Sequence, residues 1–137
     1  MDFSKLNGLV PAVIQDDGTN EVLMVGFMND TALARTRETG YVTFYSRTRS
    51  SLWTKGETSG NRLRVRVMLS DCDDDTLLIR VVREGEGRVC HRGTVTCFAP
   101  TDAQAGSSGM EAGSSASAQA SADHRSLGEG GQTQGRN

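Results

Sequence analysis

Short apolar stretches separated by polar turns fill the first hundred residues. Most alternate at the two-residue period of strands rather than the 3.6-residue period of helices. Residues 9–14 predict an apolar strand, in which Pro11 points to an edge or a bulge. Asp16, Asp17, Gly18, Thr19 and Asn20 make a turn, and residues 21–27 predict a second strand, so the pair reads as a hairpin. Asn29 is a good N-cap for a helix over 30–38, and Gly40 a good stop. Residues 41–46 are rich in β-formers and predict a strand; a polar turn follows over 47–51 and a loop with two glycines over 55–61. Residues 62–69 alternate charged and aliphatic side chains, the mark of a half-buried strand, and 77–82 predict the next. These two strands flank an acidic knot as a wide hairpin. A charged loop over 84–88 leads to Cys90, and 95–98 predict a last short strand. The implied class is α+β, a mostly antiparallel sheet with one main helix.

Composition divides the chain in two. Hydrophobic residues make up 36%, below the usual share for a globular chain, and the deficit is local. From Thr101 onward the only large aliphatics are Met110 and Leu127, and there are no aromatics. Such a segment buries too little apolar surface to offset its ordering entropy. The expectation is one domain over 1–100 and a disordered low-complexity tail over 101–137, where His124 has no role. Residues 1–100 hold thirteen acidic and thirteen basic side chains, so the net charge of −2 comes from the tail. That balance argues against a nucleic-acid partner, although Arg62, Arg64 and Arg66 could form a local basic stripe. No run approaches the roughly 18 apolar residues of a membrane span, and the N-terminus has no signal-peptide core. A cytoplasmic, reducing location is expected. There, three cysteines suggest metal binding, catalysis or plain burial rather than disulfides.

Those cysteines, Cys72, Cys90 and Cys97, carry the first chemistry. Three inert buried thiols would be the bland account. Against it, Cys72 adjoins four aspartates and Cys90 stands between a charged loop and His91. Three ligands also match catalytic zinc, which keeps a coordination position for water. Asp71, Asp73 and Asp75 alternate with Cys72, so an extended backbone would put the carboxylates on one side and the thiol on the other. Hard carboxylates suit Mg²⁺ and soft thiolates suit Zn²⁺. A solvated acidic turn is the plainer reading. A calcium loop fails, because Thr76 and Val82 stand where Gly and Glu are needed. His91 is a candidate general acid or base, or else an exposed surface histidine. Arg47, Arg49 and Lys55, with the amides of the Gly56–Gly60 loop, could cradle phosphate; singly, each is ordinary solvated charge.

In this order the blocks resemble the phosphoribosyl-AMP cyclohydrolase family over nearly all of residues 8–98. They run from Gly8-Leu9-Val10-Pro11-Ala12 through Met28-Asn29, Glu38-Thr39-Gly40, Ser46-Arg47-Thr48-Arg49 and Leu52-Trp53. Lys55-Gly56-Glu57-Thr58-Ser59-Gly60-Asn61, Asp71-Cys72-Asp73-Asp74-Asp75, Cys90-His91-Arg92-Gly93 and Cys97-Phe98 complete the set. Phe44-Tyr45 and Thr54 depart from the common pattern without touching a proposed ligand. The resemblance implies a zinc-dependent hydrolase of the third step of histidine biosynthesis. It would open the adenine ring of 1-(5-phosphoribosyl)-AMP at the N1–C6 bond to give the formimino carboxamide ribotide. It further implies a homodimer with one Zn²⁺ per subunit, held by Cys72 of one chain and Cys90 and Cys97 of the other. Mg²⁺ would sit at Asp71, Asp73 and Asp75. Arg47, Arg49, Lys55, Gly56, Glu57, Thr58, Ser59 and Gly60 would hold the nucleotide, with His91 moving a proton. The rival from another class is a zinc-stabilised binding module reading a nucleotide or RNA through Arg62, Arg64 and Arg66. It requires a fourth zinc ligand and unfolding on chelation.

Overall fold

The computed structural model describes residues 1–101; the expected tail, beyond Thr101, lies outside the described residues. Six strands and one helix follow in the order β1 (Val10–Asp16), β2 (Val22–Met28), α1 (Asp30–Thr39), β3 (Thr43–Ser46), β4 (Ser51–Thr54), β5 (Leu63–Ser70) and β6 (Leu77–Arg83). A four-stranded sheet has the order β2-β1-β6-β5, and β3 and β4 form a separate two-stranded ribbon. All pairings are antiparallel except β1 with β6. The α+β class with one helix is borne out. No helix among the described residues is long and apolar enough to cross a membrane.

The helix starts and stops where its caps dictate. The Asn29 side chain accepts the Ala32 amide at 2.8 Å, satisfying one of the free N–H groups of the first turn. Gly40 ends it at φ +77°, a left-handed conformation that costs glycine little, and its N–H closes on the Thr36 carbonyl. Thr36 is fully buried. Its hydroxyl bonds the Ala32 and Thr43 carbonyls and accepts the Thr43 amide, so the end of α1 is fastened to the start of β3.

Every second residue of β1 (Val10, Ala12, Ile14) and of β6 (Leu77, Ile79, Val81) is buried, as period-two strands require. They join Leu23 and Met28 from β2, Ala32 and Leu33 from α1, and Val42, Phe44, Leu63 and Val89 in one core. The ribbon crosses very close to the sheet: a Cβ on Gly26 would fall 2.4 Å from the Phe44 ring. The opposite face of the sheet is left uncovered among the described residues. Directly paired residues share a face, and the registers Val25↔Val13, Val13↔Leu78 and Leu69↔Leu78 draw an apolar row across all four strands. Val25 and Leu69 in that row are each 45% exposed.

Four expectations need correction. Pro11 does not mark an edge, because β1 is an interior strand; its missing N–H is tolerated since pairing with β6 begins only at Ala12. The bulge in β1 falls at Ile14/Gln15 instead. Residue 51 is not the end of a turn but the start of β4, where Trp53 pairs with Phe44 at 5.1 Å between ring centroids. The alternation of β5 breaks at a bulge between Val65 and Val67, which turns Val67 and Leu69 outward and Met68 toward the core. Residues 95–98 form no strand. The Thr96 hydroxyl donates to the Val22 and Leu23 carbonyls, and among the described residues only the Cys97 amide, on the Leu23 carbonyl, makes a backbone bond there.

Candidate active site

The acidic knot is the turn between β5 and β6, not an extended run. Asp71 Oδ1 accepts the Asp75 amide at 3.0 Å and the Thr76 amide at 3.1 Å, while Asp74 adopts φ +59°. The tight turn nevertheless brings oxygens of Asp71, Asp73 and Asp75 within 4.8 Å of one another. Burial pushes Asp71 upward, but the two amides and the neighbouring Asp75 and Asp73 carboxyls outweigh it and hold the group below the usual carboxylate value. Lys5 sits against this trio, its ammonium 2.9 Å from Asp75 and 3.2 Å from Asp73. Those bonds, Asp75 first, raise its pKa above the ordinary lysine value. Nothing in the sequence singled out Lys5.

Cys90 and Cys97 lie elsewhere, at the base of a tight loop. The Cys90 and Val89 amides both donate to the Thr94 carbonyl, and Gly93, at φ +84°, closes the turn back onto the Cys90 carbonyl at 2.9 Å. The two thiols influence each other, and their pKa values shift in opposite directions. The Arg92 amide and the Thr94 side chain favour the Cys90 thiolate and pull its pKa down. Burial and the neighbouring Cys90 push Cys97 up, against the opposing charge of Lys55. Two neighbouring cysteine sulfurs are a donor pair that fits a soft metal. The Asp71 turn fits a hard one. Cys72, exposed in that turn with its Sγ 3.9 Å from Asp73, does not join the other two: among the described residues the aspartate trio is the only metal-competent cluster of three. One chain by itself therefore offers two of the three expected sulfurs together.

A cleft of about 360 Å³ opens beside the Cys90 loop, lined by Lys55, Ser59, Asn61, Arg88, Cys90 and His91 among others. The His91 Nδ1 is 4.0 Å from Cys90 Sγ. Of the expected nucleotide-binding residues, Lys55 and Ser59 are thus beside the thiols. Arg49, Gly56, Glu57 and Thr58, again with Ser59, line an adjoining hollow of about 230 Å³ under Trp53. Arg47 is not part of either; its guanidinium lies 4.1 Å from the centre of the Phe27 ring, and it lines separate hollows there. Gly60, at φ +80°, donates its amide to the Gly56 carbonyl and closes the loop. Asn61, at the end of that loop, reaches the turn that precedes Cys90.

The arginine stripe at and just before β5 is matched by its surroundings. Arg64 pairs with Glu84, Arg66 with Asp17, and Arg62 stacks on Tyr41. Arginines engaged in this way make a poor phosphate-backbone footprint, which weakens the binding-module alternative.

A phosphoribosyl-AMP cyclohydrolase family profile matches residues 24–99. The chain is 59% identical over 98 residues to a histidine biosynthesis bifunctional protein HisIE of Bacteroides thetaiotaomicron, covering 72% of this chain and 47% of that protein. It is 53% identical over the same length to proteins named phosphoribosyl-AMP cyclohydrolase from Solibacter usitatus and Listeria innocua, covering 77% and 90% of them. The chain spans about half the length of the bifunctional relatives.

Proposed function

Because the chain belongs to the phosphoribosyl-AMP cyclohydrolase family, we propose that it opens the adenine ring of 1-(5-phosphoribosyl)-AMP by water addition at C6 and cleavage of the N1–C6 bond. The observation that carries this reading is the convergence of Cys90, His91, Lys55 and Ser59 on one cleft with Cys97 alongside. Cys90 and Cys97 of one subunit, with Cys72 of a second copy, would hold zinc; Asp71, Asp73 and Asp75 would hold Mg²⁺. Zinc bound there supplies a Lewis acid and draws the pKa of a bound water toward about 7. The uncovered apolar row Val25, Val13, Leu78, Leu69 supports a dimer, since an apolar face of this kind is normally covered.

The residues of this chain then divide the work. Ribosylation at N1 makes the ring amidine nearly cationic and C6 electrophilic. The water oxygen becomes the carboxamide oxygen, the N1–C6 electron pair leaves on N1, and N1 takes up a proton. His91, whose Nδ1 is 4.0 Å from Cys90 Sγ, takes the proton from water or delivers it to N1. Lys55, Ser59 and the Thr58 and Ser59 amides of the 56–60 loop hold a phosphate, with Arg49 at the adjoining hollow for the second. Arg47, spread on Phe27, would have to leave that ring to take part.

Purified protein should contain zinc and consume phosphoribosyl-AMP in an ultraviolet absorbance assay, with loss of turnover on chelation and recovery on zinc addition. Cys90→Ser should stay folded, lose zinc and lose activity; turnover by a zinc-free protein would sink the proposal. X-ray absorption at the zinc edge should find three sulfurs and a light-atom ligand exchangeable with solvent. A fourth side chain, or unfolding on chelation, would favour the binding module.

A further inference from the structure

Two loops meet at the cleft, and a single side chain joins them. One loop runs over 55–61 and carries Lys55 and Ser59; the other runs over 84–91 and delivers Cys90 and His91. Asn61 Oδ1 accepts the Glu86 amide at 2.8 Å. The neighbouring Glu84 amide donates to the Arg62 carbonyl at 2.9 Å, which continues the β5–β6 ladder up to the turn. The approach is so close that a Cβ at Gly85, itself at φ +68°, would lie 2.5 Å from Asn61 Oδ1 and 2.8 Å from the Gly60 carbonyl oxygen. Asn61 is in turn held from behind. Its own amide donates to Ser59 Oγ at 3.2 Å, and a Cβ at Gly56 would fall 2.3 Å from its carbonyl. Glycines at 56 and 85 thus leave room for backbone against backbone, with the Asn61 oxygen as the one side-chain tie between the loops.

From this juxtaposition we infer that Asn61 is a positioning residue: it sets the distance between the phosphate-holding loop and the Cys90–His91 turn, and so the width of the cleft. The inference rests on the cyclohydrolase reading for its kinetic consequence, though the tie itself does not. A nucleotide anchored at Lys55 and Ser59 must present its ring to the thiol-bearing turn. Loosening that spacing removes orientation rather than chemistry, and displacements near 1 Å cost on the order of 100-fold in rate.

The test uses the full zinc-loaded chain with Asn61→Leu, which removes the acceptor, and Asn61→Asp, which keeps an oxygen at the same place. Asn61→Leu should bind zinc as wild type does, speed hydrogen exchange of the Glu86 amide, and lower kcat/KM on the order of 10- to 100-fold, with KM rising. Asn61→Asp should restore Glu86 protection and recover kcat/KM to within about threefold, since a carboxylate accepts the same bond. A merely structural residue would lower the folded fraction in both variants while leaving KM per zinc-loaded site unchanged; that result overturns the inference. So does unchanged Glu86 exchange in Asn61→Leu. If zinc-loaded wild type shows no ring opening, the cyclohydrolase reading fails, and Glu86 exchange still decides whether the tie exists.

Discussion

Arg83→Met isolates the ion pair that holds the β1–β2 turn against the end of β6. Arg83 Nε donates to Asp16 Oδ2 at 2.6 Å, and its Nη1 donates to the Gly87 carbonyl at 2.7 Å. The two side chains are only 24% and 10% exposed, so solvent screens them less than a surface pair. Methionine keeps the aliphatic stem and deletes both bonds. The Asp16 carboxylate is not orphaned, because Oδ1 still accepts the Gly18 and Thr19 amides at 2.8 and 2.9 Å. The cost should therefore fall between the 3–5 kcal/mol of a broken buried pair and the 1 kcal/mol or less of an exposed one, at about 2–3 kcal/mol. A double-mutant cycle with Asp16→Asn, followed by urea unfolding at fixed zinc loading, should give a coupling energy of about 1.5–2 kcal/mol.

The same pair makes an acid signature. Burial alone would raise the Asp16 pKa, but Arg83 and the two amides outweigh it and hold the carboxyl below its ordinary value. A depressed folded pKa means that Asp16 contributes stability above the unfolded value, about 3.9, and that this contribution is lost as pH falls toward the folded one. Arg83→Met should flatten the stability profile in that acid range. A coupling energy under about 0.5 kcal/mol, or an unchanged acid slope in Arg83→Met, would refute the reasoning.

Two further outcomes test the proposed metal sites. Mixing an inactive Cys72→Ser subunit with an inactive Cys97→Ser subunit, under conditions where subunits exchange, should restore up to about half of the sites in heterodimers if each zinc is shared; no recovery would count against sharing. Lys5→Met removes an internal ammonium from Asp73 and Asp75, so Mn²⁺, read by its paramagnetic resonance as a stand-in for Mg²⁺, should bind about two- to fivefold tighter. Weaker binding would show that Lys5 assists the site instead.

What could be read from the sequence was what local chemistry decides. Asn29 and Gly40 bracket α1 because their side-chain oxygen and free φ answer needs internal to the helix. The hairpins β1–β2 and β5–β6 follow from alternation on either side of turn residues. Most of the misses depend on partners that the local pattern does not reveal. Pro11 reads as an edge residue unless one knows that β6 stops short of it, and β4 is too short and polar to announce itself without Phe44 opposite Trp53. Residues 95–98 look like a strand because Thr96 is a β-former, yet its hydroxyl takes the acceptors that a strand's backbone would have used. The donor types at the site were plain in the sequence, and the aspartate trio converged although its backbone did not stay extended. Asn61 escaped notice because nothing local distinguishes an asparagine that ends a loop from one that joins two.

The parallel pairing of β1 with β6 also bears on how the chain reaches its native state. Ala12 finds its partner only when Leu77 has been synthesised, so the middle of the sheet cannot close while the polypeptide is still short. Loop-closure entropy on that scale slows folding relative to a hairpin-only topology. On the ribosome, the β1–β2 hairpin would emerge with one flank of β1 bare, waiting for the strand that seals it.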